Sequence, residues 1–186
     1  MTCLPARSQA QDLFSLFVRC MQPTHGVIPV PYAKAVMEQI YQNRESGESP
    51  SLPELALLFS IFAGAALSGS PESLSSLCAS QEEMRTLFVG YSDLALSILD
   101  DNAYPTTPYI MTLLAISTLT HVLSHTDGYS DKVHMLRVRQ LLLAQSMQMH
   151  RLDTAKRREE RRLKGYDVVE LEISRRIWWH MVASDW

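Results

Sequence analysis

The sequence predicts an all-α fold of about seven helices, joined by short loops into an irregular array of helical hairpins. Apolar residues recur at helical spacing in most segments, and proline, glycine and serine mark the joints between them. Strand signals are nearly absent: the segment GVIPV at residues 26–30 has β-like residues, but its proline is unfavourable inside a sheet. No internal repeat of fixed period is present, so the pattern does not favour a solenoid.

The first three predicted helices are bounded by prolines and by a polar loop. The first has an apolar stripe that includes Leu13 and Phe17, and the second follows a proline-rich break at residues 22–31. The third begins after Ser51 as N-cap, with Pro53 in its first turn. All seven predicted helices cover residues 9–21, 32–44, 52–67, 80–101, 109–124, 130–150 and 167–186.

Capping and turn residues mark the remaining four helices. Ser80 and Glu83 form the capping box that begins the fourth helix, and the segment NAYPTTP separates it from the fifth. Asp127 and Gly128 lie at the centre of the turn before the sixth helix. A charged connection follows it, and the last helix is predicted to begin near Asp167.

Length and composition indicate one ordinary globular domain. The chain has 186 residues, a formal net charge of -3 and 20% charged residues, so no overall attraction to nucleic acid or to an anionic membrane is expected. Residues 1–12 lack the apolar centre of a signal peptide, which argues against export. The two most apolar segments, residues 55–67 and 109–123, are too short or too polar to span a bilayer and are expected to be buried helices.

Cysteine and histidine spacing does not favour a metal site. Cys3, Cys20 and Cys78 are far apart, which fits neither a disulfide framework nor a zinc site and indicates a reducing compartment. His121 and His125 stand four apart, but the glutamate of an HExxH motif is missing between them. His134 and His150 would be further ligands, and no spacing rule connects them to this pair. We therefore assign no metal site and expect satisfied core or surface histidines.

Motifs of catalysis are not found either. The sequence has no GxSxG elbow, no glycine-rich phosphate loop and no cysteine–histidine signature. We therefore predict that the protein is not an enzyme, and we assign no catalytic residue, no cofactor-binding residue and no cofactor.

The segment at residues 151–165, RLDTAKRREERRLKG, has seven basic and three acidic residues. Such a segment can contact nucleic acid or act as a nuclear import signal. Its interleaved glutamates, and the lack of an aromatic residue to stack on a base, favour a solvated connector or helix instead. Pairs such as Glu159 with Arg162 would support a helix locally.

The last predicted helix is amphipathic and has an aromatic edge. On a helical wheel Arg175 and His180 fall on the polar half, and Arg175 is expected to lie against Trp179. Asp185 falls within the apolar half, where a carboxylate needs a partner. Trp179 and Trp186 form the aromatic edge, and the apolar half consists of Leu171, Ile173, Ile177, Trp178, Met181 and Val182.

This last stretch, EISRRIWWHMVASDW, resembles the Arg-Arg-apolar-Trp-Trp helix of the fungal-specific transcription factor domain, an all-helical region called the middle homology region. Other segments are similar to that family in the same order. LFSLFVRCMQPTHGVIP resembles its opening segment, LALLFSIFAGAALS its alanine-rich helix, and residues 109–153 its helical pair, in which Ala144 and MHRLD take the matching places.

Two departures from the family pattern shape what the resemblance implies. The family's zinc cluster uses six cysteines, and this sequence has three scattered ones, so the zinc-dependent DNA reader is not expected in this chain. The resemblance also stops at Trp186, where the family continues. The expectation is a disordered segment at residues 1–11 and a single, incomplete regulatory domain over residues 12–186. A fragment, a truncated gene product and a domain completed by a partner all fit.

The resemblance implies a regulator of transcription in the nucleus that helps to control a metabolic pathway. It would act through protein partners, as a homodimer, a heterodimer or with a co-regulator, or through a small-molecule effector. Direct DNA binding and membrane association are not expected. One alternative is a stand-alone accessory or dominant-negative partner of a full-length regulator. The other is a biosynthetic enzyme that uses a helical pocket.

Overall fold

The computed structural model describes residues 4–100 and 109–184, and the predicted all-α class is confirmed: no strand occurs among these residues. A 3-10 turn, Met149–Arg151, connects the seventh and eighth helices. The helices are α1 (Arg7–Cys20), α2 (Gln22–His25), α3 (Val30–Ser46), α4 (Leu52–Ser68), α5 (Gln81–Leu99), α6 (Ile110–Ser124), α7 (Asp131–Ser146), α8 (Ala155–Lys164) and α9 (Val168–Ser184).

Helix α4 forms the centre of the core. Its residues from Ala56 to Ala66 are all buried, and it packs against α1, α3, α5 and α6. Helix α6 is nearly as enclosed, with every residue from Ile110 to Thr120 buried. Both helices are apolar on all sides, which is the pattern of a helix that is surrounded by protein. The prediction that these two apolar segments are buried helices is therefore confirmed.

Two hydroxyl groups inside the core bond to the backbone of their own helices. Ser60 Oγ donates to the carbonyl oxygen of Ala56 at 2.7 Å, and Thr118 Oγ1 donates to that of Leu114 at 2.8 Å. Such bonds to the preceding turn let a helix carry polar side chains without leaving them unpaired in the core.

The described helix boundaries follow the predicted ones closely in the first two thirds of the chain, except that α2 lies inside the predicted proline-rich break at residues 22–31. Helix α1 begins at Arg7, two residues before the predicted start, and so includes part of the segment 1–11 that was expected to be disordered. The predicted capping box is present: Ser80 Oγ accepts a hydrogen bond from Glu83 N at 3.2 Å, and Glu83 Oε2 accepts one from Ala79 N at 2.6 Å. Ser51 is the N-cap of α4, but its side chain makes no capping bond within the described chain.

The predicted end of the sixth helix was wrong, and the connection after it is partly helical. The helix predicted over residues 130–150 ends at Ser146, because Gln148 adopts a left-handed conformation with φ of 56° that a helix does not continue through. The charged connection after it contains α8, which Thr154 caps by accepting a hydrogen bond from Arg157 N. The predicted connection at residues 102–108 lies outside the described residues.

Among the described residues, none of the helices combines the length and the apolar character that crossing a membrane requires.

Candidate functional site

Four of the six histidines of the sequence meet in one cluster, formed by His25, His121, His125 and His180. The His25 ring centroid lies 5.0 Å from that of His121 and 5.2 Å from that of His180. His125 Nε2 lies 3.4 Å from His121 Nε2. We call this group the histidine cluster. It joins α2, the C-terminal end of α6 and the C-terminal half of α9.

Helix α2 places His25 in the cluster. Pro23 lies in the first turn of this four-residue helix, and Gly26 ends it with φ of 63°, a conformation that glycine adopts without strain. The chain therefore turns directly after His25, whose side chain is buried against α6. There His25 Nε2 lies 3.4 Å from Ser117 Oγ. The neighbouring Thr24 hydroxyl lies 3.2 Å from His121 Nε2.

Burial lowers the pKa of three imidazoles of the cluster, those of His25, His121 and His180. Desolvation, followed by the proximity of His121 and His180, holds the pKa of His25 well below its ordinary value. Desolvation and the neighbouring His125 lower the pKa of His121 to about 4. Desolvation and then the positive charge of Arg137 lower the pKa of His180. These three imidazoles therefore offer hydrogen-bonding groups rather than positive charge.

The cluster does not have the arrangement of a metal centre. Within residues 4–100 and 109–184, no group of three His, Cys, Asp or Glu side chains is placed to hold a metal ion. His134 lines a cavity beside the cluster, and His150 lies near Trp178, with ring centroids 5.9 Å apart. Cys20 is exposed and Cys78 is buried, and both are free thiols.

A cavity of about 600 Å³ opens beside the histidine cluster, between α6, α7 and α9. Ser117, Thr120 and His121 line it from α6, and Gln140 and Arg137 from α7. Two buried polar atoms of this lining, Thr120 Oγ1 and Gln140 Nε2, have no hydrogen-bond partner among the described residues. Other buried polar atoms without a partner in the described chain are Gln22 Oε1, His25 Nδ1 and Ser92 Oγ, so such atoms are not confined to this lining.

The last helix differs in part from its predicted arrangement. Arg175 does not lie over Trp179 as predicted: it makes a double hydrogen bond to Asp153, with its Nη2 atom 2.6 Å from Asp153 Oδ1. A carboxylate matches the fork of the guanidinium better than an indole face does. His180 was predicted to lie on the polar half of the helix. In the structure its ring lies in the histidine cluster, next to the rings of His25 and His121.

The two adjacent tryptophans of α9 have different surroundings, as predicted. Trp178 packs against the core, whereas the Trp179 side chain is 64% exposed. Ile173 and Ile177 of the predicted apolar half are fully buried. The predicted positions of Asp185 and Trp186 lie outside the described residues.

The basic segment forms a solvated helix, as the sequence favoured. Within the described chain, α8 has no buried residue. Arg162 donates to both carboxylate oxygens of Glu159 at 3.1 and 3.0 Å, which confirms the predicted pair. Arg157 pairs with Glu160, and Arg161 reaches Asp153 at 3.7 Å.

The described residues thus define an all-helical protein with a cavity of mixed polar and apolar lining beside the histidine cluster. The whole chain is similar to the "Agnestins biosynthesis cluster transcription factor AgnL11" of Paecilomyces divaricatus, with 27% identity over 186 residues that make up 27% of that protein. It is also similar to the "Probable transcription factor lepB" of Aspergillus flavus, with 27% identity over 190 residues, covering 98% of this chain and 33% of that protein.

The chain therefore spans about a quarter to a third of the length of these curated relatives. No family model matches the sequence. No solved structure matches it either.

Proposed function

We propose that this chain is the helical regulatory part of a transcription regulator that acts in the nucleus on genes of a metabolic pathway. The observation that carries the proposal is the similarity over the full chain to two proteins named as transcription factors, one of them of a biosynthesis cluster. The all-helical fold agrees with the regulatory region that the sequence resembles.

The charges of the described chain support a role in protein or effector contacts rather than in reading DNA. The arginines that make α8 basic are largely engaged: Arg157, Arg161 and Arg162 pair with nearby carboxylates. Such pairing reduces the number of phosphates that the helix can neutralise, and phosphate neutralisation supplies most non-specific DNA affinity. The net charge of -3 works in the same direction.

Exposed apolar side chains on the later helices support contacts with other proteins. Met135 and Leu142 are 65% and 61% exposed and lie two turns apart on the outer face of α7. Trp179 is similarly exposed on α9. Aromatic residues and methionine are enriched at protein interfaces relative to the rest of a protein surface.

A tethered reporter tests the proposal. The full chain is fused to a heterologous DNA-binding module, alone and together with a strong activating segment, and reporter output is measured at equal protein levels. We expect the chain to raise output when it is alone or to lower it when it masks the activating segment. Trp179→Ser should reduce this effect, whereas Val89→Ser, at an exposed position on α5, should leave it intact.

Unchanged output in both fusions, with the chain folded and present, would refute a regulatory role. It would favour the alternative of an accessory protein or of an enzyme.

A further inference from the structure

Helix α8 is the most basic helix of the described chain. Its ten residues include two glutamates and six basic residues: Lys156, Arg157, Arg158, Arg161, Arg162 and Lys164. The formal net charge of the whole chain is -3, so this positive charge is a local exception in an acidic protein. A basic run of this length is the pattern of a nuclear import signal or of a nucleic-acid contact.

Most of these basic side chains face water. The exposed ones are Lys156, Arg158, Arg162 and Lys164. The other two point back to the preceding turn: Arg157 bonds to Gln148, and Arg161 Nη1 donates to the carbonyl oxygen of Leu152 at 2.6 Å. These two arginines attach α8 to the rest of the described chain, in which no residue of α8 is buried.

Helix α8 therefore costs little to open. It has ten residues, and a helix shorter than about 12–15 residues is marginal by itself in water. Because no residue of α8 is buried in the described chain, opening exposes no part of the core. The ion pairs of Arg162 with Glu159 and of Arg157 with Glu160 join residues three apart, so they depend on the helical conformation. Opening releases both arginines for other carboxylates.

The composition of α8 favours a protein groove over nucleic acid. Glu159 and Glu160 interrupt the cations and would repel a phosphate backbone, and α8 has no aromatic residue to stack on a base. A groove lined by carboxylates binds lysine and arginine side chains one by one through charge-assisted hydrogen bonds, and it leaves the positions between them in water.

We propose that residues 155–164 are a nuclear import signal, which opens from its helix and binds in extended form to an import receptor whose groove is lined by acidic side chains. The purpose of the signal rests on the proposed function, since a regulator of transcription has to enter the nucleus.

A large carrier tests import in cells. The full chain is fused to a fluorescent protein assembly that is too large to diffuse through nuclear pores, and the ratio of nuclear to cytoplasmic fluorescence is measured. The wild-type fusion should accumulate in the nucleus. The α8 variant should stay in the cytoplasm; it combines Lys156→Gln, Arg158→Gln, Arg162→Gln and Lys164→Gln and keeps the two arginines that attach the helix.

Two further variants separate this signal from the general effect of charge. The control variant removes four exposed cations of α1, α3 and α5 and should be imported like the wild type; it combines Arg19→Gln, Lys34→Gln, Arg44→Gln and Arg85→Gln. Exchange of lysine and arginine for each other at the four α8 positions should keep import, because the positive charge remains.

Binding is measured with the purified import adaptor that recognises basic signals, from which its own inhibitory basic segment has been removed. In fluorescence anisotropy with the full chain, the α8 variant should bind at least about 10-fold more weakly than the wild type. Thr154 Oγ1 caps α8 by accepting a hydrogen bond from Arg157 N. Thr154→Ala should therefore bind about 2–10-fold more tightly, because the segment opens more easily.

Four results would overturn the signal as proposed. The wild-type carrier stays in the cytoplasm, or the α8 variant is imported as well as the control variant. The adaptor does not bind while duplex DNA does, which would make α8 a nucleic-acid surface. Thr154→Ala weakens adaptor binding, which would show that the receptor recognises the helix and not the extended segment.

The import signal and the regulatory function fail separately, because the DNA-binding module of the reporter fusions carries an import signal of its own. If the fusions regulate the reporter while the carrier stays in the cytoplasm, the import proposal alone is wrong. If α8 imports the carrier while the fusions leave the reporter unchanged, the import signal stands and the regulatory role is wrong.

Discussion

Helix α4 approaches its neighbours so closely at Gly64 that a methyl group there would require them to shift by a few tenths of an ångström. A Cβ atom at this position would lie 3.0 Å from Phe17 Cδ2 of α1 and 3.0 Å from Val122 Cγ2 of α6. Both of those side chains are buried, so neither moves away without disturbing the core. Gly64→Ala therefore overpacks this crossing, which costs about 1–3 kcal/mol.

Helix propensity offsets part of this cost, and Gly90 measures the offset. Alanine is favoured over glycine inside a helix by about 0.5–1 kcal/mol. Gly90 lies in the exposed middle of α5, and a Cβ atom there meets no described atom within 4 Å. We expect Gly90→Ala to raise the free energy of unfolding by about 0.5–1 kcal/mol and Gly64→Ala to lower it by about 0.5–2 kcal/mol.

Urea unfolding followed by far-UV circular dichroism measures both changes. The difference between the two variants isolates the packing cost, because the gain in helix propensity is common to both. In thermal unfolding each kcal/mol corresponds to about 2–4 °C for a chain of this size. If Gly64→Ala is as stable as Gly90→Ala, α1, α4 and α6 are not held at the described distance.

Four further predictions concern pH, the last helix, metal and DNA. Folding lowers the pKa of His25 and of His121, so the unfolded chain takes up protons first as pH falls below 6.5. The free energy of unfolding should therefore decrease towards pH 4, with a slope of up to about 1.4 kcal/mol per pH unit for each proton. Urea unfolding across this range should show a flatter dependence in His25→Leu, and an equal slope would contradict the assignment. Trp178→Ala should lower the free energy of unfolding by an amount near the low end of about 3–5 kcal/mol, because the Trp178 ring is only partly buried. Trp179→Ser should instead reduce self-association in sedimentation, with little loss of helix. Two equally mild variants and a monodisperse wild type would contradict this prediction. Elemental analysis after chelator dialysis should find no stoichiometric zinc. A metal that the wild type retains through dialysis and that His121→Ala loses would contradict this prediction. Duplex DNA should bind weakly, without sequence preference and less at higher salt, and a nanomolar, sequence-selective complex would be the contrary result.

The sequence predicted those parts of the fold that depend on local pattern. The apolar segments that became α4 and α6, the capping box at Ser80 and the turn at Gly128 all have signals within a few residues of one another. Helix α8 was less clear from sequence, because it buries no side chain in the described chain and so has no apolar stripe that distinguishes it from a loop. The early end of α7 depends on the conformation of Gln148, a residue type with no strong preference for it.

The candidate site was largely beyond sequence reasoning. His121 and His125 share a helix face, and their spacing indicated a pair. His25 and His180 join them through tertiary packing over long separations in sequence, for which no spacing rule exists. The wheel of the last helix separated polar from apolar residues, but it did not show which polar residue faces another helix. The cavity is defined by three helices together, so no single segment carries a signal for it.

The enclosure of α4 also bears on how this sequence is able to change over generations. Eleven consecutive positions, from Ala56 to Ala66, are buried. None of them faces solvent, so a substitution at any of them changes the packing of the core. Helix α8 is the opposite case, since none of its described residues is buried and most of its positions accept other polar residues. In an alignment of natural variants we expect the replacements in α4 to be rare and confined to small or apolar residues. Insertions and exchanges of one polar residue for another should gather in α8, where drift leaves the packed helices untouched.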